Sequence, residues 1–389
     1  MTRVLIAGVS TRGLAASAAR AGYDVVAVDG FGDLDLRACA RAVAVARLGG
    51  GGGGGGGGRF NVGAAVRATR GFDYDAVCYV ASLENHPRAV AALAERGALW
   101  GNPSAVLRRV RDPLRLARAL AARGFATPAV RLAPPPPPPA SARSRTRWLV
   151  KPRASGGGSR IGEWRRRPVP PGSYLQQRIA GAPGSIVFAA DGRRAVPLGL
   201  SLLLTGERAF GAEGFRYCGN VLAPAEPRVF ATACRLAAAV TEEFGLVGVN
   251  GIDFVAARSI PYPIEVNPRY TASMELVERA HGLSIFETHA RACAGTLPAF
   301  DVAAASRPAG ALGKAILYAR RDCIVPDTHT WLADESVSDI PAPGEPIARG
   351  QPICTIFARG EDAARCRAAL AARARALYRA LDARQVKIA

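Results

Sequence analysis

The chain has 389 residues, of which 49% are hydrophobic, enough apolar material to fill two or three folded units of ordinary size. Its longest apolar runs, such as 196–204, fall well short of the roughly 20 residues that a membrane span needs, and MTRVLIAGV opens on a strand pattern and not on a leader. Membrane insertion and secretion are therefore not expected. The eight cysteines form no CxxC pair and no cluster with histidine, so they read as reduced thiols of a cytoplasmic protein. A net charge of +20 invites a nucleic-acid role, yet only Lys151, Lys314 and Lys387 of the 51 basic residues are lysines. The arginines are spread along the chain without interleaved aromatics, so no specific nucleic-acid partner is expected.

The first hundred residues alternate strand and helix, with strands at 4–7, 25–28, 76–80 and 99–101 and helices near 14–21 and 88–96. This pattern predicts a parallel sheet with helices on its faces. The first turn runs from Gly8 to Gly13, and Asp29 ends the second strand, as in a dinucleotide-binding unit. The full GxGxxG fingerprint is missing, so a nicotinamide enzyme is an alternative that is not favoured. Ten glycines at 49–58 and six prolines at 134–139 read as loop and spacer, because neither composition can belong to a packed core.

A new unit is expected near Ser104. Asp112-Pro113 makes an N-cap and first turn, Leu114, Ala117, Leu120 and Ala121 recur at helical spacing, and Gly124 closes the helix. Strands at 147–152, 174–179, 185–189 and 196–204 and a helix at 228–244 follow, in a region where antiparallel pairing is expected. Beyond Phe300, strands at 315–318 and 353–356 precede an Arg/Ala-rich helix at 363–383. The organisation expected is α/β followed by α+β, in three parts: 1–103, 104–300 and 301–389.

Two segments carry chemistry. Lys151 ends a short apolar strand in a chain that otherwise prefers arginine, which points to a need for a compact ammonium. The following Ser155, Gly156, Gly157 and Gly158 can bring backbone N–H groups against phosphate oxygens. The second segment pairs Gly251-Ile-Asp253 with Glu265-Val-Asn267-Pro-Arg269, read as two short strands joined by a loop containing Pro261 and Pro263. Strand period puts Glu265 and Asn267 on one face. With Asp253 beside them, three hard oxygen donors converge in a set suited to magnesium; without a cation the two carboxylates need another counter-charge.

The lysine and glycine loop, the Gln176-Gln177-Arg178-Ile179-Ala180-Gly181 segment and the D…E-x-N-P-R series, in this order, resemble the ATP-grasp superfamily. EVNPRYTASMELVERAHG at 265–282 is similar to the group of ATP-dependent carboligases related to biotin carboxylase. The resemblance implies a Rossmann-like pre-ATP-grasp domain, ATP-grasp lobes and a small C-terminal α+β region. It implies ATP and Mg2+ (or Mn2+) as cofactors, and a ligase that joins a small-molecule carboxylate to an amine through an acyl phosphate, with a homodimer as one compatible assembly. Lys151 would contact the phosphates under a loop at Ser155–Ser159. Gln176, Gln177 and Ile179 would lie in the hinge that reads adenine, Asp253, Glu265 and Asn267 would hold the metal, and Arg269 would face the transferred phosphate. The chain departs from the family where a second phosphate-binding lysine is common: it has Arg111-Asp112-Pro113, leaving Arg111 or Arg115 as substitutes. The acidic ribose ligand after the hinge is also absent. A nucleotide-binding regulatory or scaffold protein with little turnover is the alternative function. His281 and His289, on a helical stretch after this motif, are candidates for binding the acceptor or for packing.

Overall fold

The computed structural model describes residues 1–48, 59–134, 146–305 and 310–385, so the glycine tract and residues 135–139 of the proline tract lie outside it. The N-terminal strands form a parallel sheet in the order Ala42–Val45, Asp24–Asp29, Arg3–Ala7, Ala76–Tyr79, Ala98–Leu99. Val4 and Ile6 face the Arg12–Arg20 helix, while Leu5 and Ala7 pack with Leu83, Val90 and Leu93 on the other side. Burial on both faces is why these strands read as continuous apolar runs and not as alternating ones.

The centre of the molecule is an eight-stranded sheet, antiparallel at every pairing. Its order is Ile260–Asn267, Val247–Ala257, Ala182–Asp191, Ala195–Thr205, Tyr217–Leu222, Ala311–Tyr318, Pro352–Gly360, Val337–Ser338. Side chains alternate across it. Ile186, Phe188, Leu200, Ile252, Phe254 and Val266 point to one face and form a core with the Pro227–Phe244 helix. That helix begins with Pro227 at its first turn, capped by the Glu226 carboxylate accepting from the N–H groups of Arg228 and Val229. It ends at Gly245, in the left-handed conformation that glycine adopts without steric cost. The other face packs Val187, Ala189 and Val249 against the Ile285–Cys293 helix at one end, and at the other carries Ser185, Asp253 and Glu265, which line a cavity.

The expected pair of short strands with a proline-containing loop is corrected here. Val247–Ala257 and Ile260–Asn267 form one long hairpin that turns at Arg258 and Ser259, both with positive φ (50° and 62°). Pro261 and Pro263 lie inside the second strand, paired with Ala256 and Phe254. They are tolerated because that strand is the sheet edge, where one side needs no N–H donors.

A smaller antiparallel sheet, ordered Gly162–Glu163, Trp148–Pro152, Ser173–Gln177, Val130–Arg131, carries Lys151 over the cavity. Beyond residue 310, Ala311–Tyr318, Pro352–Gly360 and Val337–Ser338 extend the eight-stranded sheet, while Cys323–Ile324 and Pro346–Ile347 pair apart from it; the Ala363–Gln385 helix covers this region through Cys366, Leu370, Ala374 and Tyr378. Among the described residues, no helix is long and apolar enough to cross a membrane.

Gly219 joins the two parts of that sheet with φ of +147°, and a Cβ there would lie 2.1 Å from the Lys314 carbonyl oxygen. Gly219→Ala should therefore destabilise the protein by about 1–3 kcal/mol, from overpacking together with an unfavourable backbone conformation. An unshifted midpoint in urea denaturation would contradict this account.

Candidate active site

A cavity of about 720 Å³ lies between the small sheet and the polar face of the large one. Lys151 enters from the end of the Trp148–Pro152 strand. Its side chain is buried, and Nζ donates to Gln176 Oε1 (3.1 Å) and to the Ile264 carbonyl oxygen (3.4 Å). Gln176 also donates through Nε2 to the Ile264 oxygen at 3.3 Å, so the two side chains hold each other against the edge hairpin. Gln177 and Ile179 line the cavity as well, and the N–H groups of Gln177 and Arg178 donate to the carbonyl oxygens of Ala129 and Arg147.

Gly156, Gly157 and Gly158 line the same space. Gly157 and Gly158 have φ of +59° and +73°. A Cβ on Gly158 would meet the Phe215 carbonyl oxygen at 1.8 Å, so only glycine fits where the loop crosses that backbone. The Tyr217 N–H donates to the Gly157 oxygen at 3.0 Å. Ser155 is not in the cavity wall. Its carbonyl oxygen accepts from Asn85 Nδ2 and from Arg111 Nη2, both at 3.3 Å, which anchors the start of the loop to the N-terminal unit.

Asp253 and Glu265 are directly opposed across the hairpin, and Asn267 is opposed to Gly251, so all three point to the cavity. Asn267 Nδ2 donates to Asp253 Oδ2 at 3.0 Å. Burial, and after it the facing Glu265, push the Asp253 carboxyl up to about 6, against the opposing effect of Ser185 and Asn267. Glu265 is held below the usual carboxylate range: burial alone would raise it, but Arg111 and Lys151 outweigh that. Two carboxylates and an amide oxygen on one cavity wall are the donors a hard divalent cation takes, so the set fits magnesium.

Arg111 supplies the counter-charge. Its Nη1 donates to Glu265 Oε1 (2.5 Å) and the Val266 oxygen (2.9 Å), and its Nη2 to Asn85 Oδ1 (2.7 Å). Arg115 is an exposed residue of the Pro113–Ala122 helix. Arg269 reaches the cavity wall with its guanidinium 2.7 Å from the buried Glu84 carboxylate, and it donates to Asn267 Oδ1 (3.2 Å) and the Tyr270 oxygen (2.9 Å). Glu84, Asn85, Arg12, Glu275 and Asp339 escape sequence reasoning because no local pattern marks them. Lys314 had a signal: like Lys151 it is a rare lysine, and both line this cavity.

The histidines lie elsewhere. His289 is buried, accepts at Nδ1 from the Val249 N–H (3.0 Å) and meets the Trp100 oxygen at Nε2 (3.0 Å), and burial pushes it down to about 4. It is a packing residue. His281 is partly buried beside Phe300, and neither histidine is in the cavity wall.

The glycine loop, Lys151 and the facing carboxylates Asp253 and Glu265 all fall within residues 110–273, a stretch that matches a known domain family. The chain contains an ATP-grasp domain. Over 92% of its length it is similar in fold to the biotin carboxylase domain dimer of Hydrogenobacter thermophilus 2-oxoglutarate carboxylase, solved with MgADP, ADP and bicarbonate (TM-score 0.67, 14% identity, 86% of that chain). It is likewise similar over 98% of its length to L-amino acid ligase from Bacillus licheniformis (TM-score 0.65, 15% identity, 97% of that chain). In sequence, 120 residues, or 31% of the chain, are 28% identical to an uncharacterized protein of Methanocaldococcus jannaschii, and the match spans only 28% of that protein's length. The mixed architecture of parallel and antiparallel sheets is thus that of the ATP-grasp fold.

The raised Asp253 carboxyl has a measurable consequence. The folded protein holds this proton more tightly than the unfolded chain, whose ordinary value is 3.8. The stabilisation it contributes is complete below about pH 4 and is lost as pH rises through about 6. Asp253→Asn should therefore stabilise the protein, free of magnesium and nucleotide, by about 1 kcal/mol or more near neutral pH, with the gain vanishing toward the acid end. Thermal melts across that range decide it, and a gain independent of pH would refute it.

Proposed function

We propose that the chain is an ATP-dependent carboxylate–amine ligase that works through an acyl phosphate. The observation that carries this reading is the convergence of Lys151, the Gly156–Gly158 loop and the Asp253, Glu265, Asn267 set on one cavity. In this reading Lys151 and the loop amides bind the ATP phosphates. The adenine edge meets the hinge at Ile179, because the N–H groups of Gln177 and Arg178 are already bonded. Asp253, Glu265 and Asn267 hold Mg2+ or Mn2+, which when bound neutralises charge on the phosphates.

A substrate carboxylate oxygen attacks the γ-phosphorus. The new P–O bond forms as the bond to the β–γ bridging oxygen breaks, and ADP leaves. The amine then attacks the acyl carbon, the C–N bond forms, inorganic phosphate departs and the amine proton passes to solvent. Lys151 and Arg269 stabilise the charge that develops, and positioning in a water-poor site supplies the rest, so no protein nucleophile is needed. The regulatory alternative draws support from the missing second lysine, since Arg111 is engaged with Glu265. Against it stands the complete set of oxygen donors.

The test has two arms. Calorimetry with a non-hydrolysable ATP analogue should show binding that requires magnesium. Lys151→Ala and Glu265→Gln should each lower ADP release, measured with pools of carboxylates and amines, by about 10²-fold or more, with the Glu265 variant partly recovering at high magnesium. Normal turnover in both variants would end the ligase reading.

A further inference from the structure

Three parts of the molecule meet at the Arg111 guanidinium, behind the cavity wall: neither Arg111 nor its partners Asn85 and Ser155 line the cavity. Nη1 donates to Glu265 Oε1 (2.5 Å) and to the Val266 oxygen (2.9 Å), both on the edge strand of the large sheet. Nη2 donates to Asn85 Oδ1 (2.7 Å) in the N-terminal unit and to the Ser155 oxygen (3.3 Å), where the glycine loop leaves the small sheet. Asn85 Nδ2 reaches that same Ser155 oxygen at 3.3 Å, so Arg111, Asn85 and Ser155 close a triangle.

A guanidinium has five N–H donors. The four on Nη1 and Nη2 meet these four acceptors, and the fifth, on Nε, is buried without a partner. No donor remains to turn toward a phosphate. The Arg111 side chain is only 11% exposed, and swinging it into the cavity would leave its acceptors unpaired, which costs more than one new hydrogen bond returns. Glu265 is engaged through Oε1 and itself lines the cavity, so Oε2 is left for a cation.

We infer that Arg111 is a positioning residue, a two-armed tie between the Glu265 carboxylate and the start of the glycine loop, and not a stand-in for a phosphate-binding lysine. One arm fixes a cation ligand and the other fixes the loop, so loop placement and cation binding are linked, and the linkage is reciprocal. A lysine could not serve here, because an ammonium offers three donors from a single point and cannot span two sets of acceptors. The inference deepens the ligase reading and rests on it for the cation.

The experiment is hydrogen exchange on the full chain, free of metal and nucleotide, followed at the Tyr217 amide, which the loop protects through the Gly157 oxygen (3.0 Å). Amides of the buried Arg3–Ala7 strand serve as the core control. Asn85→Ala and Arg111→Lys both conserve charge, and each should speed Tyr217 exchange about fivefold or more while the core control stays put. Glu265→Gln should speed it too, although Glu265 does not touch the loop. In calorimetry with Mn2+ and the non-hydrolysable ATP analogue, Asn85→Ala and Arg111→Lys should each weaken Mn2+ by about fivefold or more. Unchanged Tyr217 exchange in either charge-conserving variant, or a core control that quickens with it, would overturn the inference. So would Arg111→Lys binding Mn2+ and the analogue as tightly as the native chain, since Arg111 would then act as a point charge. A loop loosened in all three variants, in a protein whose native form binds no ATP analogue with magnesium, would instead sink the ligase reading and leave the tie standing.

Discussion

Asp253 and Glu265 stand opposite each other across a strand pair, both facing one cavity, and two carboxylates held that way need positive charge beside them. The architecture of the site follows from that need. Arg111 comes from just before the Pro113–Ala122 helix, Lys151 from the small sheet and Arg269 from the turn after the edge strand. Each cation is in turn held by another group: Arg111 by Asn85, Lys151 by Gln176, Arg269 by Glu84. Glu84 and Asn85 belong to the N-terminal unit, so that unit is a structural part of the site.

The same alternation that builds the core builds the cavity. Ile252 and Val266 pack against the Pro227–Phe244 helix, and their neighbours Asp253 and Glu265 are turned the opposite way by strand geometry. A one-residue shift in the hairpin register would bury the carboxylates under the helix and expose the apolar set. Core packing and the placement of the two carboxylates therefore depend on one register.

The glycine loop is fixed at both ends. Ser155 is tied to Asn85 and Arg111, and Gly157 and Gly158 lie against the backbone of Phe215 and Tyr217. Its glycines serve close approach of backbone to backbone as well as any approach of backbone to phosphate.

Local chemistry made part of this legible in the amino-acid sequence. The parallel sheet showed in the apolar runs of the first hundred residues, the helix after Asp112 in its cap, and the shared face of Glu265 and Asn267 in strand period. Lys151 stood out because lysine is scarce. The hairpin was misread because Pro261 and Pro263 are loop signals until the strand is known to be a sheet edge, which only the sheet order establishes. The Arg12, Asp339, Glu275 and Lys314 group had no local signature, since Arg12 and Asp339 are 327 residues apart. The sequence alone determined which backbone elements form and which faces they turn; the tertiary structure decided which charges meet, because an ion pair is set by proximity in space and leaves no period along the chain.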